Sequence, residues 1–140
     1  LIEKNIKLKI IGNKKNFSNK LKKVLSNSEK ITNRNSGLQI NLALNYGFKE
    51  ELVTSIKNLI RKKKRISEKN IKSNLYTSNI PDPDILIRTG NTYRLSNFML
   101  WQIAYSEIFF IKKLWPDFSK RDFKKIISTY YNTKRNFGGL

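Results

Sequence analysis

Pro83-Asp-Ile-Leu-Ile-Arg-Thr-Gly-Asn-Thr-Tyr-Arg-Leu-Ser-Asn-Phe-Met-Leu-Trp-Gln-Ile-Ala-Tyr-Ser-Glu-Ile-Phe-Phe110 sets two arginines, a serine and one glutamate into a strand–loop–helix–strand pattern. Asp84-Ile-Leu-Ile is a short apolar run with Arg88 at its carboxyl end. Ligands of open α/β sheets sit just outside such strand ends. Gly90 lets the chain turn sharply beyond it, and Arg94 follows. Ser96 stands in the position of an N-cap for an apolar helix predicted over residues 98–105. Two guanidinium forks beside free helix N–H groups suit a polyanion. A plainer arrangement fits the same residues: Ser96 only caps the helix, and both arginines pair with surface carboxylates. Residue types alone leave both readings open.

Outward from this stretch the pattern alternates. Residues 6–11 predict a strand, 16–25 an amphipathic helix with lysines outward, and 38–44 a second strand after the turn Asn33-Arg-Asn-Ser-Gly37. A helix is predicted over 48–63 and a shorter one over 67–76 with Ser67 as cap; Ile80-Pro-Asp-Pro83 breaks the chain, and residues 119–135 are helical. Strands separated by helices predict an α/β fold, a mainly parallel β-sheet flanked by helices on both faces. The 140 residues can bury one core and make one domain. Asn45 ends a strand on the crevice side, beside Tyr46-Gly47, and is a candidate polar contact to a ligand. The aromatics Trp101, Tyr105, Phe109, Phe110 and Trp115 are read as core or subunit-interface packing.

Composition narrows the chemistry. The chain has no cysteine and no histidine, which excludes a disulfide framework, thiolate metal sites and histidine acid–base catalysis on these residues. No apolar run approaches the ~18 residues that span a bilayer, and the default location is the cytoplasm. Twenty-nine Lys and Arg against ten Asp and Glu give a net charge of +19, an attraction to anions that by itself does not choose among them. The dense run Arg61-Lys-Lys-Lys-Arg65 follows the 48–63 helix, where cations suit the helix dipole. A solvated helix end is its first reading, a membrane-surface patch the second and a nucleic-acid contact the third.

The run Asp84-Ile-Leu-Ile-Arg-Thr-Gly, then Arg94-Leu-Ser-Asn-Phe-Met-Leu-Trp-Gln-Ile-Ala-Tyr-Ser-Glu, then Leu114-Trp-Pro-Asp-Phe118, resembles the signature of the cis-prenyltransferases, in the form of the bacterial undecaprenyl diphosphate synthases. The likeness continues in Ile10-Ile-Gly12, Leu42-Ala-Leu-Asn-Tyr-Gly47 and Arg135-Asn-Phe-Gly-Gly139, and so covers the whole chain. It implies transfer of a prenyl group: successive cis additions of isopentenyl diphosphate to an allylic diphosphate, farnesyl diphosphate foremost, giving a long polyprenyl diphosphate carrier lipid. Carried over by position, it assigns the isopentenyl diphosphate to Arg88, Arg94, Leu95 and Ser96, a magnesium ion to Glu107, and a cationic contact across a homodimer to Arg135. A carboxylate oxygen suits Mg²⁺, which usually bridges protein and phosphate.

The sequence departs from the family in four places. The family's Asp-Gly-Asn-Gly-Arg-Trp-Ala segment, whose aspartate binds magnesium and whose loop cradles the allylic diphosphate, is not among these residues. The opening Leu1-Ile-Glu-Lys-Asn-Ile-Lys-Leu-Lys-Ile-Ile-Gly aligns with a strand in the middle of the family fold. The expectation is therefore a partial domain over 1–140 with four strands, two short of the family sheet, holding the isopentenyl half-site, without the catalytic aspartate and inactive alone. Gly90-Asn-Thr92 replaces Gly-Gly-Glu and removes an acid near the site; Phe48-Lys49 replaces a small residue and an arginine; Asn136 replaces a second arginine. Two alternatives stand beside this reading: a non-catalytic subunit or decayed fragment of such an enzyme, and a basic RNA-binding protein. The second rests on charge alone and lacks any nucleic-acid module, so no nucleic-acid partner is assigned.

Overall fold

In the computed structural model, which describes residues 1–134, strand β1 (Lys7–Ile11) lies parallel to β2 (Gln39–Ala43), with Lys7 opposite Gln39 and Ile11 opposite Ala43. Parallel neighbours need a crossover, and α1 (Asn19–Thr32) supplies it, started by Ser18, whose Oγ accepts from the Leu21 N–H at 3.2 Å. The helix runs about two turns past its predicted end. Its last residues are occupied by β1: the Thr32 hydroxyl accepts from Leu8 N at 3.1 Å, and the Glu29 carboxylate accepts from Ile10 N at 2.7 Å. Asn35 Nδ2 donates to Ile6 O at 2.8 Å on the same flank. Side chains thus satisfy the strand edge that β2 does not.

Helix α2 (Phe48–Arg61) follows Gly47, with Glu50 and Glu51 in the first turn where the helix dipole favours them. Phe48, Glu51, Ser55 and Leu59 recur on one face and are buried. A buried carboxylate must be hydrogen-bonded. Glu51 accepts from the Tyr46 hydroxyl at 2.5 Å and from the Tyr76 N–H at 2.6 Å. Lys9 Nζ donates to the Tyr76 carbonyl at 2.9 Å; burial lowers its pKa, and Glu29 offsets part of that. Burial first, then Glu50 and Glu51, raise the Tyr76 phenol. The short α3 (Glu68–Lys72) is capped by Ser67, as predicted, and receives the Ser55 hydroxyl at Ile71 O, 3.2 Å away. These elements close a core of Leu8, Ile10, Ile11, Phe48, Leu59 and Leu75. They form one compact unit, Leu1–Asn79; the described residues from Ile80 onward form a second.

In the second unit β3 (Ile85–Arg88) lies parallel to β4 (Glu107–Phe110), with Ile85 opposite Glu107 and Arg88 opposite Phe110. After a 3-10 turn at Trp115–Asp117, α4 (Lys120–Asn132) begins in a capping box the sequence reading missed: Ser119 Oγ accepts from Asp122 N, and Asp122 Oδ2 accepts from Ser119 N. Lys113 closes on the same carboxylate at 2.8 Å. Among the described residues Ile103 and Ile126 are the buried aliphatic ones here.

The α/β class with parallel strands and flanking helices is as the sequence predicts; among the described residues β1 pairs with β2 in the first unit and β3 with β4 in the second. One expectation is corrected. Residues 98–105 form a run of turns, not a helix, and Ser96 is no N-cap: Ser96, Asn97 and Met99 have φ of 49°, 60° and 47°, in the left-handed region that a right-handed helix cannot include. Tyr105 and Trp115, read as core or subunit-interface packing, are 71% and 73% exposed in the single chain and so are not core residues of it; Trp115 stacks on Phe118, ring centroids 6.0 Å apart.

Candidate diphosphate-binding site

Arg88 ends β3, and the chain beyond it is pinned rather than loose. Ile111 N donates to Arg88 O at 2.7 Å, Gly90 N to Lys113 O at 2.7 Å and Asn91 N to Ile111 O at 3.1 Å, so the loop begins as a continuation of the β3–β4 ladder. Gly90, at φ 89°, then turns it. Thr92 Oγ1 donates back to Gly90 O at 3.1 Å, and the Tyr93 ring lies 5.3 Å from that of Phe110. The loop returns so that Arg88 Nη1 donates to Ser96 Oγ at 3.2 Å. A cleft of about 290 Å³ opens here, lined by Leu86, Ile87, Arg88, Thr89, Leu95 and Phe98.

Three of the predicted site residues, Arg88, Leu95 and Ser96, are therefore together at the carboxyl end of a parallel strand. Arg94 adjoins them in sequence, exposed and without a hydrogen bond or ion pair to any described residue. Among the described residues neither arginine pairs with a carboxylate. Thr89 and Phe98 belong to the cleft although sequence reasoning passed over them; their places beside Arg88 and Ser96 were the available signal.

Glu107 lies elsewhere on the same ladder. It pairs with Ile85 at the amino end, its N–H donating to Asp84 O at 2.9 Å, whereas Arg88 pairs with Phe110. Three residues of strand put roughly 10 Å between those positions, and alternation points the two side chains to opposite faces. Among the described residues no three carboxylates gather as a metal cage. A single carboxylate still fits Mg²⁺, which commonly takes one or two from protein and fills the rest with phosphate and water. Asn45 belongs to the first unit: at φ 47° its Nδ2 donates to Asn13 O at 2.9 Å, and Asn13 N donates back to Asn45 O at 3.1 Å. Its amide ties the β1–α1 loop to the end of β2. Arg135 lies outside the described residues.

Comparison with known proteins yields relatives along the full length. An isoprenyl transferase of Rickettsia typhi is 40% identical over 139 residues, covering 99% of this chain and 62% of that protein. The ditrans,polycis-undecaprenyl-diphosphate synthase ((2E,6E)-farnesyl-diphosphate specific) of Micrococcus luteus is 40% identical over 147 residues, 100% of this chain and 59% of that one. The chain spans about three-fifths of the length of these curated relatives. Among solved structures, a "probable undecaprenyl diphosphate synthase" from Campylobacter jejuni superposes with a TM-score of 0.91 at 36% identity, over 99% of this chain and 66% of that one. A family model described as "Putative undecaprenyl diphosphate synthase" matches residues 1–138, and with these identities the chain belongs to the undecaprenyl diphosphate synthase family of prenyltransferases.

Proposed function

We propose that the protein works in cis-prenyl transfer, condensing isopentenyl diphosphate onto an allylic diphosphate such as farnesyl diphosphate, and that this chain supplies the isopentenyl diphosphate half-site. The observation that carries this reading is the contact of Arg88 with Ser96 at the carboxyl end of β3, with Arg94 beside it. In the reaction the allylic carbon–oxygen bond breaks and its electron pair leaves with diphosphate. The alkene of the isopentenyl unit forms the new carbon–carbon bond, and a proton is lost from that unit. The incoming diphosphate keeps its charge throughout, so it needs a fixed cradle more than a chemical partner. Arg88 and Arg94 would bind its oxygens as paired hydrogen-bond forks, and the Ser96 hydroxyl would hold Arg88 in orientation while donating its own proton to an oxygen. Leu95 and Phe98 would face the hydrocarbon portion.

Magnesium, when bound, would neutralise diphosphate charge, and Glu107 is the residue of this chain that would ligate it, at a position apart from the Arg88–Ser96 corner. On this reading the 140 residues are one partial catalytic domain, copies pair as a homodimer, and the protein works in the cytoplasm; no described helix is long and apolar enough to cross a membrane. Family membership does not favour the non-catalytic or RNA-binding alternatives. Calorimetric titration of the full chain with isopentenyl diphosphate tests the proposal: saturable binding that Arg94→Ala weakens supports it, and no heat from the wild-type chain removes it.

A further inference from the structure

We propose that the cationic knuckle at the carboxyl end of α2 is a docking surface for an anionic lipid bilayer. Arg61-Lys-Lys-Lys-Arg65 places five cations in a row, every one of them exposed. Between Glu51 and Glu68 the sequence holds no carboxylate, and none of the five forms an ion pair with a described residue. Arg61 Nη2 donates to Asn58 Oδ1 at 3.3 Å, a partner that leaves its charge uncompensated. Isoleucines flank the run: Ile60 is 62% and Ile66 53% exposed. Cations with adjacent apolar side chains supply the two attractions that hold a protein at a membrane surface. Lysine and arginine meet acidic head groups, and the aliphatic chains enter the boundary beneath. A single-stranded nucleic acid would call instead for cations with stacking aromatics, and residues 52–67 contain none.

The helix end holds the cations in a defined arrangement. Lys63 N donates to Ile60 O at 2.9 Å and Lys64 N to Leu59 O at 3.0 Å, the bond pair of a Schellman motif. Its left-handed position is filled by Lys63, at φ 52°. Glycine is the usual occupant, because a β-carbon there crowds the backbone. The helix dipole favours a cation near this end, yet glycine would fill this one position without strain; a lysine there adds a fifth charge to the exposed row. None of this depends on prenyl transfer.

The test is co-sedimentation of the full chain with vesicles of equal phosphatidylglycerol and phosphatidylethanolamine, against vesicles of phosphatidylcholine alone. Because the whole chain is basic, two charge-matched variants are compared, each checked by circular dichroism. One changes Arg61, Lys62, Lys63, Lys64 and Arg65 to Gln; the other changes the exposed Lys4, Lys15, Lys20, Lys23 and Lys30 to Gln. The first should lose at least about tenfold in partition to acidic vesicles and the second less than about threefold. Ile60→Ser with Ile66→Ser should weaken binding with no change in charge, and Lys63→Gly, which relieves the backbone, should weaken it with the fold intact. Equal losses in the two Gln variants, an unaffected first variant, or equal wild-type binding to phosphatidylcholine would overturn the proposal. So would a first variant that loses poly-uridine RNA while keeping acidic vesicles.

Discussion

Arg88 carries the account at the scale of single residues. Its backbone is fixed by the Ile111 N–H and its side chain by the Ser96 hydroxyl, so the guanidinium is oriented before any ligand arrives. Arg88→Ala is expected to cost isopentenyl diphosphate affinity about 1.5–3 kcal/mol, the worth of a hydrogen bond to a charged group. Arg88→Lys should recover little of that, because an ammonium cannot present the same two-pronged donor. Calorimetry on the three proteins distinguishes these outcomes. Asp122 shows a different use of charge. Lys113 and Ser119 hold its carboxyl well below the ordinary value of 3.8. Its folded pKa is depressed, so the stabilisation is complete above that value and is lost as pH falls toward the lower folded one. Thermal melts of the wild type and Asp122→Asn between pH 6 and pH 2 should converge as the pH drops.

At the scale of elements, α1 guards β1. Thr32 and Glu29 lie three residues apart, on one helix face, and take the Leu8 and Ile10 N–H groups that a further strand would otherwise take. Thr32→Val keeps the shape and removes the acceptor, leaving a buried N–H unsatisfied; about 1–3 kcal/mol of stability should be lost in urea melts. Lys63→Gly should act the other way, adding about 1 kcal/mol by relieving a left-handed side chain. The helices and strands of the first unit were legible because their apolar spacing and caps are local: Ser67 starts α3, and Phe48, Glu51, Ser55 and Leu59 share one face of α2. The overlong α1 was not, since Thr32 is held by a strand twenty-four residues away in sequence. The 98–105 segment was misread for a related reason. Its composition favours a helix, while left-handed Ser96, Asn97 and Met99 turn the chain and bring Ser96 to Arg88.

At the scale of the whole molecule, the chain carries +19 and leaves large apolar side chains exposed, among them Trp115, Tyr131 and Leu38. Such surface invites association once salt screens the charge. Sedimentation velocity at about 0.5 M salt should show oligomers; a monomer that melts cooperatively would contradict this. The grouping of Arg88, Leu95 and Ser96 was legible because their motif is contiguous and anchored on one strand end. The separation of Glu107 from them was not, since it depends on the β3–β4 register, which a motif does not encode. The central claim is that the Arg88–Ser96 corner holds a diphosphate. The measurement that tests it most directly is titration of isopentenyl diphosphate into the wild-type chain and Arg88→Ala. Affinity lower by roughly tenfold to a hundredfold in the variant is the predicted result; equal affinity in the two proteins would contradict the account.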